Sequence, residues 1–344
     1  MKRLFHKTSE TIFIHIKLVA FILVAITAIL PLFVSSRYIL RLVTMSLMYV
    51  MLSLSLNLLI GYLGNMSMGH AAFWGLGAYT AAILSTRFDT PILLEVLVAI
   101  LVTGAMGLLL GLPVMKLKGY YLTIVTMGFC EIIRLVELNS ASLTRGALGI
   151  SGIPGFRIFG QVIKNAVSSY YLILVLVILT AYFIHCFDRS RLGMAVRAIK
   201  EDELVAQAMG IPVFTCRLIV FAISAIIAGI AGVFYAHYQS MVQPTLFTTS
   251  ASTQLVTITI FGGLGNIAGS VLGAFVLTLL PEMLRGLDTY RDLIYGIIIV
   301  VMMLVKPNGL LGSVNFKYIR QRYEQRKQQL KEAPTCETEH ASLK

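Results

Sequence analysis

The chain has 344 residues, 57% of them hydrophobic and 13% charged, with a mean hydropathy of +0.84. A soluble domain is about a quarter charged, so this composition excludes an ordinary soluble protein and indicates an all-α polytopic integral membrane protein. The net charge of +12 would suggest nucleic acid in a soluble chain, but no polar domain is there to present it, and in a membrane protein it reports the Lys/Arg excess of cytoplasmic loops.

In chain order, residues 1–17 form a basic segment too long for a typical signal-peptide n-region, and the apolar run 18–34 is longer than a usual h-region. The run reads as a retained membrane helix, although Ser35-Ser36 resembles a cleavage site. Apolar stretches long enough to cross a hydrocarbon core follow. They place spans near 18–34, 39–60, 66–86, 92–115, 119–138, 170–187, 217–239, 245–262, 267–284 and 290–305, about ten in all, so that residues 18–305 form one transmembrane domain. The N-terminus, the loop 188–216 and the tail 306–344 are strongly basic and should all be cytoplasmic, which an even count satisfies.

The second and third stretches enclose a glycine-rich segment, 61–86, containing Gly61, Gly64, Asn65, Ser67 and His70. So much glycine implies close approach to the backbone, by a neighbouring helix or by a solute. His70 should lie near the cytoplasmic interface, either bonded to a neighbouring helix or as a gate group. Asn57, Asn65, Ser67 and Thr126 are placed to hydrogen-bond across helices. Glu131 and Arg134, three apart in the fifth span, can face one another along a helix. They form a structural pair or line a path; Glu137, nearer the outer end, reads as solvated. The segment 139–169 is the longest external one, rich in turn-formers but with Ile150, Ile153, Phe156, Ile158 and Phe159 as apolar anchors. An ordered loop that docks an external partner is expected.

Within 188–216, Arg197 to Pro212 reads as one short amphipathic helix, with Leu204, Val205, Ala208 and Met209 on a common face and Gly210 and Pro212 as its stop. So short a helix needs a partner surface: lipid headgroups, or another protein. Further on, Gly262-Gly263-Leu264-Gly265-Asn266 repeats the pattern of Gly61-Tyr62-Leu63-Gly64-Asn65. Paired Gly-interrupted apolar segments point to a transport path. The basic tail, Lys317 to Lys331, reads as attracted to anionic lipid.

Covalent chemistry finds no support. The four cysteines have no paired spacing, and there is neither a Walker A pattern nor His-Glu-x-x-His. No metal or cofactor site is expected in this chain.

The acidic residues, spaced alanines and Gly210 of the 197–212 stretch resemble the coupling, or EAA, loop of ABC-importer permeases. With it, Gly61 to Phe73, Lys118 to Thr126, Glu131 to Arg134, Gly149 to Pro154, Arg197 to Gly210 and Phe261 to Gly269 resemble the LivM-type permease of branched-chain amino-acid ABC importers, in order, over about 38–312. Asn65 departs from the Gln more often found there, and Glu337 to Lys344 match no family pattern. The resemblance implies a bacterial inner-membrane subunit that takes branched-chain amino acids (Leu, Ile, Val) from a periplasmic binding protein. It also implies a second LivH-type permease and two cytoplasmic ATPases, to which ATP and Mg would bind. Glu203, Leu204, Ala206, Ala208, Met209 and Gly210 would then couple to an ATPase. Gly61, Gly64, Asn65, Ser67, His70, Thr126, Glu131, Arg134, Gly262, Gly263, Gly265 and Asn266 would be path or gate candidates. Related permeases carry urea or short amides. A gradient-driven secondary transporter with His70 and Glu131 as relay groups is the alternative of a different class.

Overall fold

A computed structural model describes residues 31, 36–117, 119–158, 161–163, 165–283, 291–306 and 309–311. The expected first span apart from Pro31, together with Lys118, Phe159 and the basic tail, lies outside the described residues. Twelve α-helices are described: α1 Arg37–Asn57, α2 His70–Arg87, α3 Ile92–Val114, α4 Tyr120–Asn139, α5 Ala141–Thr144, α6 Ala166–Arg189, α7 Arg191–Glu201, α8 Glu203–Ala208, α9 Val213–Gln239, α10 Thr249–Gly262, α11 Ile267–Met283 and α12 Arg291–Val305. Each of the other nine expected spans coincides with one of them. Four segments are by themselves long and apolar enough to cross a membrane: Arg37–Leu63, α3, α6 and α9.

The centre of the bundle is α1, prolonged by a π-helical turn, Leu58–Leu63, and packed by α6, α9, α10 and α11. Helix α9 in turn lies on α2 and α3. The crossing of α2 and α9 is close because it is built from small residues. A Cβ on Gly77 would overlap the Gly229 carbonyl, and one on Gly232 the Trp74 carbonyl. Flanking rings fill the space on either side, with Phe73 edge-on to Phe221 at 5.6 Å and Trp74 edge-on to Tyr235 at 5.1 Å. By contrast α3 exposes Leu93, Leu97, Leu101, Leu109 and Leu112. Such a face suits lipid rather than water.

Two departures from the sequence expectation have local causes. The third span begins at His70 rather than 66, because Gly64 takes a left-handed conformation (φ +81°) and the chain then runs irregularly, with a bend at Met68, to Gly69. The expected single helix over 197–212 is two, α7 and α8, broken at Asp202. This residue is extended (φ −153°), and its Oδ1 accepts from the Leu204 and Val205 N–H groups at 2.8 and 3.1 Å. A short carboxylate that satisfies the next helix's free donors competes with helix continuation.

The 139–165 stretch is ordered around short elements. Strand β1, Ile150–Ser151, pairs antiparallel with β4, Met241–Val242, while β2, Phe156–Ile158, pairs with β3, Gln161–Ile163. Ile150, Ile153 and Phe156 are buried as the anchor reading expects, Phe156 stacking on Phe234 at 5.3 Å.

Candidate functional site

The non-helical run Asn65–Gly69 sits inside a helical bundle, where every backbone group needs a partner. Those partners come from α4 and α10. The Thr123 hydroxyl donates to the Met66 carbonyl at 3.0 Å, and the Met68 N–H donates to Thr126 Oγ1 at 3.1 Å. At the start of α2 the Ala71 N–H donates to Ser252 Oγ at 2.9 Å. Gly69 lies so close to Thr126 that a Cβ would stand 2.6 Å from its carbonyl oxygen. Ser67 is buried, and its hydroxyl accepts from the Gly69 N–H at 3.4 Å. Asn65 is half-buried and reaches Met115 Sδ at 3.9 Å.

His70 is fully buried at the start of α2, with Nε2 2.5 Å from Ser55 Oγ. The Ser55 hydroxyl also lies 2.8 Å from the Leu52 carbonyl, which can only accept. The serine proton therefore goes to Leu52, which assigns the imidazole proton to Nε2. His70 is thus held between helices within the protein, bonded to a neighbouring helix.

The two glycine turns meet. Buried Asn57 accepts from the Gly265 N–H at 2.9 Å and donates to Ser270 Oγ at 2.9 Å and to the Asn266 carbonyl at 3.3 Å. A Cβ at Gly61 would overlap both Asn57 Oδ1 and the Gly265 nitrogen. Gly265, like Gly64, is left-handed (φ +76°). Asn266 closes the second turn by accepting from the Ala268 N–H at 3.0 Å and donating to the Leu311 carbonyl at 3.1 Å. The end of α10 is sealed as well, since the Leu310 and Leu311 N–H groups donate to the Phe261 and Gly262 carbonyls at 2.9 and 3.2 Å. A Cβ on Gly262 would overlap the Gly269 carbonyl, and Gly263 lies against Gly309.

Helix α7 rests on this junction. The Lys200 ammonium donates to the Gly61 carbonyl at 2.6 Å, a cation on the negative end of a helix. Three residues earlier, Arg197 lies 5.7 Å over the Tyr62 ring and pairs with Asp188. The next helix, α8, is tied to the membrane helices by Glu203, which pairs with Arg217 of α9 at 3.1 Å, and by buried Ala206. Its remaining face is bare: Leu204, Val205 and Met209 are 73%, 57% and 77% exposed. Ala208 is exposed too, and Gly210 ends the helix left-handed (φ +80°) with open space around it.

Of the residues singled out from sequence, Gly61, Gly64, Asn65, Gly262, Gly263, Gly265 and Asn266 belong to the two turns, Ser67 to the adjoining non-helical run, His70 to the start of α2 and Thr126 to the part of α4 that faces the run. Glu131 and Arg134 are separate, farther along α4. There Arg134 Nε donates to both Glu131 oxygens at 3.0 Å, and their side chains remain 22% (Arg134) and 42% (Glu131) exposed. Glu137 is not solvated; it is 4% exposed, because it points inward against Gly75 of α2.

Sequence reading did not single out Lys200, Glu95 or His237. The last two are buried; His237 Nε2 hydrogen-bonds Glu95, and Nδ1 donates to the Pro154 carbonyl at 2.8 Å. An acidic residue near the start of an otherwise apolar span was the available signal for Glu95. Among the described residues no group of three or more His, Cys, Asp or Glu is arranged to hold a metal ion.

Comparison with known proteins identifies a family. A family model described as "Branched-chain amino acid transport system / permease component" matches residues 38–305. The high-affinity branched-chain amino acid transport system permease protein LivM of Salmonella typhimurium is 34% identical over 302 residues, covering 81% of this chain and 71% of LivM. The Escherichia coli LivM is 33% identical over the same shares. The LivH permease of the same system in Salmonella typhimurium is 25% identical, over 78% of this chain and 93% of LivH. No solved structure matches.

Proposed function

The chain belongs to the branched-chain amino acid transport system permease family, and from that premise we propose that it is the membrane-spanning subunit of an ATP-driven importer for Leu, Ile and Val. In this reading a periplasmic binding protein delivers the amino acid, a LivH-type second permease completes the pathway, and two cytoplasmic ATPases bind ATP and Mg. The chain itself is not an enzyme, and the loop 188–216 and both termini face the cytoplasm of the inner membrane.

The observation that carries the proposal is the bare apolar face of α8. A six-residue helix cannot persist alone in water, and Leu204, Val205 and Met209 would not be left exposed without a protein to cover them. The same segment is continuous with α7, which touches the glycine junction through Lys200. An ATPase that moves α8 would therefore displace both Gly-rich turns at once, through Lys200 to Gly61 and through Asn57 to Gly265. We assign the turns and the adjoining Ser67, His70 and Thr126 to the gate.

The Glu131–Arg134 pair supports a position for the second permease. A partly exposed ion pair five and eight residues along α4 from its last residue, Asn139, is costly against hydrocarbon, up to roughly 2.5–3.5 kcal/mol per charge on insertion scales for the centre of a span. Such a face suits a protein neighbour or a wet path.

A Leu204→Glu/Met209→Glu double variant tests the reading. Expected is loss of ATP-dependent leucine uptake and of ATPase co-purification, with the permease still at wild-type level in the membrane. Uptake that persists in this variant and follows an imposed ion gradient would instead establish a secondary transporter. Competition by urea or acetamide, but not by isoleucine or valine, would overturn the substrate.

A further inference from the structure

A second cluster lies away from the glycine junction, toward the far end of α4. Glu137 is 4% exposed, and neither carboxylate oxygen has a hydrogen-bond partner among the described residues. The same holds for the Trp74 indole N–H and the Tyr79 hydroxyl, on residues 3% exposed. These groups surround Phe247. Its ring is edge-on to Trp74 at 4.9 Å and lies 6.1 Å from both Tyr79 and Tyr235. Gly75 makes the approach possible, since a Cβ there would stand 2.9 Å from both Glu137 Oε1 and Phe247 Cγ.

An unpaired carboxyl in so apolar a place is unusual, because buried acids are normally paired or fully hydrogen-bonded. The nearest cation along α4, Arg134, is one turn away and already forked onto Glu131. What is missing is a positive charge with N–H donors. A carboxylate beside a cluster of aromatic rings is the chemistry that recognises an ammonium group.

We propose that Glu137, with the Trp74, Tyr79 and Phe247 rings, forms an occluded binding point for the α-ammonium group of the transported amino acid. This rests on the reading of the chain as an amino-acid permease and specifies how that path would hold its cargo. The carboxylate supplies the counter-charge and accepts the N–H donors, and the rings replace water around the cation. The cage is closed in this structure. Three of its walls stand on α2 and α4, whereas Phe247 belongs to the turn that precedes α10, so the turn is the wall through which a ligand would enter.

Trp74 is the only tryptophan of the chain and reports on the cage directly. The full-length chain in nanodiscs would be titrated with leucine, with leucinamide, which keeps the ammonium but lacks the carboxylate, and with isocaproate, which lacks the ammonium. Leucine and leucinamide are expected to change Trp74 fluorescence and isocaproate to leave it unchanged. Glu137→Gln, which keeps volume and hydrogen bonding but removes charge, should weaken the leucinamide response by about tenfold or more.

An equal response to isocaproate, a Glu137→Gln titration like the wild type, or silence with every probe overturns the site. If Glu137→Gln does not insert, the three probes on the unsubstituted chain decide alone. Leucine uptake by the assembled importer is measured in parallel. Uptake with an unresponsive Trp74 sinks the cage and leaves the permease reading intact. An ammonium-selective response without branched-chain amino-acid uptake sinks that substrate and leaves the cage.

Discussion

Glycine does two different jobs in this protein, and the crossing of α2 and α9 can be set against the junction of the two glycine turns. At the crossing, Gly77, Gly229 and Gly232 are ordinary helical residues whose missing side chains let two backbones touch. At the junction, Gly64 and Gly265 are left-handed, and apart from one close backbone approach, of Gly61 to Gly265, contact is made by single polar groups, Asn57 and Lys200, reaching across. The first arrangement resists displacement, because backbone lies against backbone over about one turn of each helix. The second is held by a few hydrogen bonds. A glycine-rich membrane helix is therefore not by itself a moving part; the conformation of the glycine and what faces it decide.

The contrast can be broken most severely at the crossing. Gly232→Leu would drive a side chain into the Trp74 carbonyl and the Ala78 nitrogen, neither of which can rotate away. Overpacking costs about 1–3 kcal/mol and more where backbone must move, so the protein should disappear from the membrane fraction, as read by immunoblot and detergent melting. Normal levels of this variant would end the distinction.

Next is Asn57→Ala, which strips the Gly265 N–H of its partner and the Ser270 hydroxyl of one of two, the other being the Asn266 carbonyl. At about 1–3 kcal/mol for a buried group left unsatisfied, the melting temperature should fall and uptake should fall further, whereas unchanged uptake would make the junction ornamental. Gly265→Ala is milder. Its left-handed backbone costs roughly 1–2 kcal/mol with a side chain, and the Cβ would stand 3.3 Å from the Gly61 carbonyl. Insertion is expected to be normal and uptake per inserted molecule reduced. The smallest effect belongs to Gly111→Ala, where the added Cβ crowds only the movable tip of Leu218, at 2.6 Å, and meets Phe221 Cδ1 at an ordinary 3.4 Å. Less than about 1.5 kcal/mol and near-normal uptake are expected. Equal defects in Gly111→Ala and Gly265→Ala would mean that the turn has no role beyond packing.

Much of this was legible in the residues. Long apolar runs locate nine of the described helices, because desolvation of the backbone leaves a membrane segment no other choice. The glycine-rich turns stood out, since left-handed positions and close contacts favour the same residue. What sequence could not show was partnership across the bundle. Nothing along the chain says that Asn57 closes on Gly265, 208 residues away. Glu137 illustrates the same limit. Position near a helix end suggested water, but whether an acid faces out or in depends on the rotation of α4, which is set by Leu122, Thr126, Phe129, Cys130 and Ile133 packing inward on the same side. The break at Asp202 was missed because a helical period on both sides hid a capping residue between them.

The central position of α1 also has a consequence for biogenesis. Its apolar window is almost wholly buried, while that of the more apolar α3 is mostly bare. The helices that pack most extensively against α1, namely α6, α9, α10 and α11, begin at residue 166 or later. During synthesis α1 must therefore wait in lipid, with Ser46, Ser53 and Asn57 lacking their partners across the bundle, until α10 and α11 have emerged. The segment made early is the last to complete its contacts, so a ribosome stalled before residue 166 would release a chain whose core helix lacks all four of these neighbours.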